Sequence, residues 1–309
     1  MPKLSVHLIT YNNQDHIRET LDSIINQATD IDYEIVIGDD NSTDSTWEII
    51  TKYQKDHQAL INAKRNKKQL GILLNFKETL DRCKGNYVFA IAGDDYLIDD
   101  HALEKMVEVF NANPEIGFLD SGYNNFNEKT AKTKTFVNRD LMTTSKENYL
   151  KRLKLGHITP IGICFNRDLL YTHVDFNHYI KEDITIDDYP ILVDLAMNSD
   201  FARIAKPLVA YRSHESSYSH SRSFNDQFFM KMQMKKLFDH FSKKYEFEKR
   251  LIEEYESQHY KDLLFLAGYF ENKELGEKSF RKLKNKAIRN YIHYYASKYK
   301  IFRKAISII

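Results

Sequence analysis

Cysteine is nearly absent: Cys83 and Cys164 are the only two in 309 residues, with no CxxC pair and no Cys/His cluster. That excludes a disulfide framework and a structural zinc site, and makes a reducing compartment the expectation. Long apolar runs are missing too, since no window approaches the roughly 18–20 residues that a membrane span needs. The opening MPKLSVHLIT lacks the charged-then-apolar pattern of a secretory signal, so the expected location is the cytoplasm. An excess of either charge is missing as well. Lys plus Arg (45) nearly cancels Asp plus Glu (44), leaving +1, and this balance gives no reason to expect a nucleic-acid partner. Neither GxGxxG nor GxxxxGK[ST] follows any strand-like segment, which removes the dinucleotide and P-loop phosphate cradles.

What is present is an alternation of short apolar runs with amphipathic periods, and 42 % hydrophobic residues supply a core. LSVHLIT (4–10), EIVIGDD (34–40), a segment near Leu60–Ala63 and YVFAIA (87–92) read as strands. Between them Ile17, Leu21, Ile24 and Ile25, then Trp47, Ile50 and Tyr53, then Leu73 to Cys83 recur at helical spacing. This predicts an α/β domain, a mostly parallel central sheet flanked by helices, over residues 1–225. From about 226 to 309 the pattern is helical throughout, with LAGYFENKELG as the turn of a hairpin.

Ligands bind beyond the carboxyl ends of strands in such sheets, so the residues there are the candidates. After the first strand stand Thr10, Tyr11 and Asn12; after the second, Asp39 and Asp40; after the fourth, Asp94 and Asp95. Adjacent carboxylates repel, and a divalent cation bridging Asp94 or Asp95 to phosphate would relieve that, although GDD also suits an ordinary turn. Asp39 and Asp40 suit hydrogen bonds to a nucleobase or ribose, or a helix cap. In DITIDDYPILVDLA, Asp188 is placed either to cap a helix or to act as a general base. In AYRSHESSYSHS, Arg212 suits phosphate oxygens and His214 suits completion of a metal shell.

These segments, in this order, resemble the family 2 glycosyltransferases of the GT-A fold over roughly residues 3 to 220. The resemblance rests on LSVHLITYNNQDHIRETLDSIINQ, EIVIGDDNSTDST, NKKQLGILLNFKETLDRCKGNYVFAIAGDDYL, IDDYP and AYRSHESS. It implies a nucleotide-diphospho-sugar donor, UDP-linked by family habit, a Mn²⁺ or Mg²⁺ ion, and single displacement with inversion. Position by position, it sets Thr10, Tyr11 and Asn12 along the nucleoside, Asp39 or Asp40 on the base, and Asn75 facing the nucleotide. It sets Asp94 at the second acid of the D-x-D motif with Asp95 beside it, Asp188 as catalytic base, and Arg212 and His214 on a loop over the diphosphate and metal. The first acid of that motif is Ala92 here, which leaves His214 as a substitute ligand, or activity lost.

No acid follows Glu277, while Lys and Arg interleave with Tyr291, Tyr294, Tyr295, Ile301, Phe302 and Ile306. That composition suits either an anionic membrane surface touched by 278–309 or the solvated face of a helical hairpin. With the membrane reading, the acceptor expected is a glycan or lipid-linked oligosaccharide of capsule, lipopolysaccharide or a related bacterial surface glycan, and the protein is peripheral on the inner face of the cytoplasmic membrane. Two rival readings stand beside this. A sugar nucleotidyltransferase would carry a Gly-rich basic loop where TYNNQD stands; a non-catalytic nucleotide-sugar-binding protein draws its support from Ala92.

Overall fold

The computed structural model describes residues 3–136, 145–214 and 223–305. The chain forms two compact units: one runs to Leu153 and from His157 to His214, and the other holds Lys154–Gly156 and the chain after His214. Residues 215–222, which include part of the expected phosphate loop, lie outside the described residues, as does Ile306.

The first unit begins β1 (Leu4–Thr10), α1 (Ile17–Ile25), β2 (Tyr33–Asp39), α2 (Thr46–Asp56), β3 (Ile61–Arg65), α3 (Ile72–Leu80), β4 (Tyr87–Ala92). It continues with β5 (Tyr96–Leu97), α4 (Ala102–Ala112), β6 (Ile116–Asn127), β7 (Lys132–Phe136) and α5 (Lys146–Lys154). It closes with β8 (Ile163–Asn166), α6 (Arg167–His173), α7 (Phe176–Lys181), α8 (Asp188–Asn198) and β9 (Asp200–Ser213). These strands make one nine-stranded sheet in the order β3-β2-β1-β4-β8-β6-β9-β5, with β7 beside β6.

The alternation of β1 explains its place. Leu4, Val6 and Leu8 face a core shared with Ile17, Leu21 and Ile24 of α1 and Leu103, Met106 and Phe110 of α4. Ser5 and His7 point to the other face, where His7 places a ring nitrogen 2.9 Å from the Phe76 carbonyl. Burial pushes that imidazole down to about 4, so it stays neutral. The helices α1 and α4 repeat their apolar residues at three and four, which covers the sheet with one stripe each.

The expected mostly parallel sheet is found, with one difference in its middle. β1, β2, β3 and β4 pair in parallel, and so do β6 and β9, but β8 lies antiparallel between β4 and β6. Two reversals restore direction. β6 and β9 therefore point the same way as β1 to β4, and all six strands deliver their carboxyl ends to one edge. β8 ends at Asn166, whose side chain accepts the backbone N–H groups of Asp168 and Leu169 and starts α6.

The second unit comprises α9 (Phe224–Lys244), α10 (Lys249–Tyr269), α11 (Lys273–Lys282), α12 (Ile288–Lys298) and a 3-10 turn over Lys300–Ala305. The hairpin turn lies where the sequence placed it, with Asn272 accepting the Leu275 N–H at 3.0 Å. Phe238 of α9 stacks on Tyr255 of α10 at 3.7 Å between ring centroids.

Gly38 marks the closest approach of α3 to the sheet. A Cβ there would meet Thr79 Oγ1 at 1.9 Å and Asn75 Oδ1 at 2.8 Å, both buried side chains of α3. Gly38→Ala is expected to cost about 1–3 kcal/mol by overpacking. Urea unfolding would show it as a lower midpoint with an unchanged slope.

Candidate active site

The loops after β1 and β2 are sewn together by their own side chains. Asn12, at φ 54°, donates its N–H to Ser42 Oγ at 2.9 Å and accepts the Thr43 N–H at 2.8 Å. Asn13 Oδ1 accepts the Thr10 hydroxyl at 2.9 Å, and Asn13 N–H donates to Thr46 Oγ1 at 2.8 Å. Thr10 is thus turned inward, while Tyr11 is 41 % exposed and Asn12 is also exposed.

Asp39 is wholly buried at the end of β2. It accepts the Ser42 N–H at 3.0 Å and the Ser42 hydroxyl, and lies 3.5 Å from Arg65 Nε. Burial raises its carboxyl above the ordinary range, and the Ser42 hydrogen bonds oppose that. Asp40 is used differently. Its oxygens accept from Leu70 N–H at 2.7 Å, Gly71 N–H at 2.9 Å and Asn66 Nδ2 at 3.0 Å, fixing the turn into α3. Of the two acids expected on the base, Asp40 is therefore committed to backbone and amide donors.

Asn75 also departs from expectation. It is 3 % exposed, donates to the Gly38 carbonyl at 3.0 Å and accepts from Asn66 at 2.9 Å. It is a strut beneath the loop.

At the end of β4 the two adjacent acids separate in role. Asp94 Oδ2 lies 3.0 Å from His214 Nε2, and the Asp94 carbonyl accepts Arg212 Nε–H at 3.0 Å. Asp95 is 4 % exposed, and its Oδ1 accepts the Arg212 backbone N–H at 2.9 Å. Burial first, and the Asp94 charge second, hold the Asp95 carboxyl well above its usual value. Asp95, expected beside Asp94 at the metal, thus carries the end of β9 through Oδ1. Gly93 permits the approach of these strand ends: a Cβ there would meet Thr10 Oγ1 at 2.4 Å.

Arg212 is the hub. Its guanidinium reaches Glu19 of α1, lies 3.8 Å from Glu128 Oε1, and sits between the rings of Tyr96 (5.1 Å) and Phe126 (5.5 Å). Its side chain is only 7 % exposed. His214 next to it is raised above its ordinary value, chiefly by the hydrogen bond to Asp94. His16, at the start of α1, is lowered by burial and then by the Arg212 charge.

Sequence reasoning did not single out His16, Glu19 or Glu128. Each is a lone residue in an unremarkable stretch, DHIRET or NFNEK, and only the parallel register Phe126↔Arg212 and Asn127↔Ser213 brings the last of them beside His214. A carboxylate at Asp94 with an imidazole 3.0 Å away is a donor set that fits a divalent cation.

Asp188 opens α8, which turns at Ser199 into β9 and so runs back along it. Asp188 is half-buried, and its Oδ1 accepts the Tyr189 N–H at 2.5 Å. Burial raises its carboxyl, and its neighbour Asp187 is pushed up to about 7 by burial and by the Asp188 charge. The structure joins Asp94, Arg212 and His214 in direct contact, and Asp188 stands at the start of α8.

The model of glycosyl transferase family 2 matches residues 5–173. The chain belongs to this family. An uncharacterised protein of Mycobacterium tuberculosis is 28 % identical over 222 residues, and the match covers 71 % of this chain and 61 % of that protein. The chain thus spans about three-fifths of such a relative's length. The abequosyltransferase of Salmonella typhimurium is 35 % identical over 98 residues, 31 % of this chain and 29 % of its own. Among solved structures, a Staphylococcus aureus TarS fragment in complex with UDP-GlcNAc superposes with a TM-score of 0.56 at 16 % identity, covering 99 % of this chain and 90 % of that one. The mannosyltransferase PcManGT of Pyrobaculum calidifontis, in complex with GDP-Man and Mn2+, gives 0.60 at 14 % identity, covering 99 % and 84 %. At such identities the likeness concerns the fold, and the family 2 chain has the GT-A architecture expected of it.

Asp40→Ala is expected to destabilise the protein by about 1–3 kcal/mol, because one buried and two half-buried donors lose their acceptor. Urea unfolding beside donor binding checks this. A variant of normal stability with impaired nucleotide binding would return Asp40 to the ligand-contacting set.

Proposed function

We propose that the chain is an inverting glycosyltransferase moving a sugar from a UDP-linked donor to a hydroxyl of a glycan or lipid-linked saccharide in bacterial surface glycan synthesis, capsule and lipopolysaccharide included. The observation that carries this reading is the contact of Arg212, Asp94 and His214 at one sheet edge, within a family 2 fold.

A divalent ion, Mn²⁺ or Mg²⁺, bound at Asp94 and His214 would supply positive charge to the leaving diphosphate. The chain's own residues do the rest. Arg212 is held by Asp94 and Asp95 through Nε and its backbone N–H, so its guanidinium stays aimed while a diphosphate takes the place of the Glu19 and Glu128 carboxylates. Tyr11 and Asn12 are the exposed groups for the nucleoside, and Asp39 meets the base once Arg65 gives way. Asp188 accepts the proton of the acceptor hydroxyl as that oxygen attacks the sugar face opposite the leaving group. Holding both substrates in line supplies the remaining advantage.

Asp188→Asn is expected to lower transfer roughly 100- to 10,000-fold while donor affinity stays near that of the parent. Because burial raises the Asp188 carboxyl, and the base works only when ionised, the acid limb of the rate profile should fall above the ordinary carboxylate value of about 4. Product release from UDP-, GDP-, dTDP- and CMP-sugars with either variant reads both; normal turnover in the Asn variant would remove Asp188 from the mechanism.

The helical unit supports the membrane reading of the tail. Ile288, Tyr291 and Tyr295 line one face of α12 at 82 %, 44 % and 41 % exposure, and Ile301 follows at 80 %. Arg289, Lys284 and Lys300 are exposed around them, and the opposite face of α12 is buried through Asn290, His293 and Ala296. The surface is cationic with apolar teeth, which suits an anionic bilayer and supports a peripheral position on the cytoplasmic face of the membrane. Flotation with phosphatidylglycerol vesicles should recover the full-length protein, and Ile288→Ser with Ile301→Ser should reduce recovery several-fold; equal recovery would remove the membrane contact. Point changes are the better probe, since α12 packs one face into its own unit and its deletion would expose that core.

A further inference from the structure

Ala92 stands where the family resemblance puts an acid, and the geometry across the sheet edge points to what replaces it. The ligand atoms of His16, Glu128 and His214 all lie within 4.8 Å of one another. His16 Nδ1 is 3.9 Å from Glu128 Oε1, the rings of His16 and His214 are 4.8 Å apart, and His214 continues to Asp94 at 3.0 Å. Two ligands of one first-row ion, each at about 2.1 Å, stand no more than about 4.3 Å apart. Side-chain turns of roughly half an ångström would bring all three into one coordination shell.

The backbones that carry these groups are already fixed. His16 N–H donates to the Asn13 carbonyl at 3.0 Å and the His16 carbonyl accepts the Thr20 N–H at 3.2 Å, so the ring stands on the first turn of α1. Glu128 N–H donates to the Ser213 carbonyl at 3.2 Å, which extends the β6/β9 ladder by one rung and holds Glu128 beside His214. The Glu128 carboxylate is 3.8 Å from Arg212 and 3.9 Å from His16, longer than a hydrogen bond to either. It is shared between them and committed to neither. Glu19, Asp94 and Glu128 oppose the single guanidinium of Arg212, which with neutral imidazoles leaves two negative charges for a cation to balance.

We propose that His16 and Glu128, together with His214 and Asp94, form a mixed imidazole and carboxylate site for a first-row transition cation, taking the place of the acid absent at Ala92. Two nitrogen donors make the site favour Mn²⁺ or its heavier neighbours over Mg²⁺, which prefers oxygen and water. The purpose of the site rests on the transferase reading, but ion binding does not.

The test is titration of the full-length protein with MnCl₂ in the absence of nucleotide, free Mn²⁺ being read by its paramagnetic resonance signal. One ion per chain is expected, displaced by Mg²⁺ only at roughly tenfold excess or more. His16→Gln and Glu128→Gln should each weaken binding roughly tenfold or more. Circular dichroism without metal reports whether each variant is folded; His16→Asn and Glu128→Asp, read the same way, replace any that is not. Parent-like Mn²⁺ affinity in the folded variants of both positions, or equal affinity for Mg²⁺, overturns the proposal. If these variants lose the ion while the parent transfers no sugar from any donor, the site stands and the transferase reading falls. If the parent transfers sugar and the variants keep the ion, the reverse holds.

Discussion

Everything at the carboxyl edge of the sheet depends on how Arg212 is held. Its backbone N–H ends on a buried carboxyl, its Nε on a carbonyl of the neighbouring strand end, and its guanidinium lies between two aromatic rings with acids on two sides. A planar cation held in this way loses little freedom when an anion arrives. The same contacts tie β9 to the β4–β5 turn, to α1 and to the end of β6, so the group that would meet a diphosphate also sets the spacing of the groups around it.

The acids of this edge divide by burial. Asp40 and Asp95, with the amide of Asn75, sit below the surface and spend their hydrogen-bonding capacity on loop backbone and strand ends. Asp94, Glu128, Glu19 and Asp188 reach further out. A low-dielectric floor under an ionised rim strengthens each charge at the rim, because the floor offers no competing solvent. Family 2 chemistry asks for such a rim: charge builds on a leaving group, and the compensating charges have to be in place beforehand.

Much of this was legible in the sequence. Strands β1 and β4 lie where alternation and apolar run placed them, and α1 presents the stripe that Ile17, Leu21 and Ile24 announced. Asp94, Arg212 and His214 were marked by their positions after strands, and the structure sets them in contact. Three things were beyond local reading. The antiparallel β8 in mid-sheet has no signature of its own, because ICFN looks the same in either direction. The roles within each acidic pair, Asp39 against Asp40 and Asp94 against Asp95, depend on which side chain meets a donor from a distant loop. His16 and Glu128 carry no motif at all; a strand register fixed by long-range pairing brings them in.

That register has a kinetic side. β1 to β4 with their helices gather from neighbouring stretches of chain, whereas β6 must wait for β9, with Ile116 opposite Asp200. Closing so long a loop is entropically costly and comes late in folding. A nascent polypeptide that has emerged only as far as α8 holds the loops after β1 and β2 but neither Arg212 nor His214. The carboxyl edge is completed last, by the final strand of its unit, so a partly made molecule would be able to collapse while the proposed seat of the pyrophosphate is still missing.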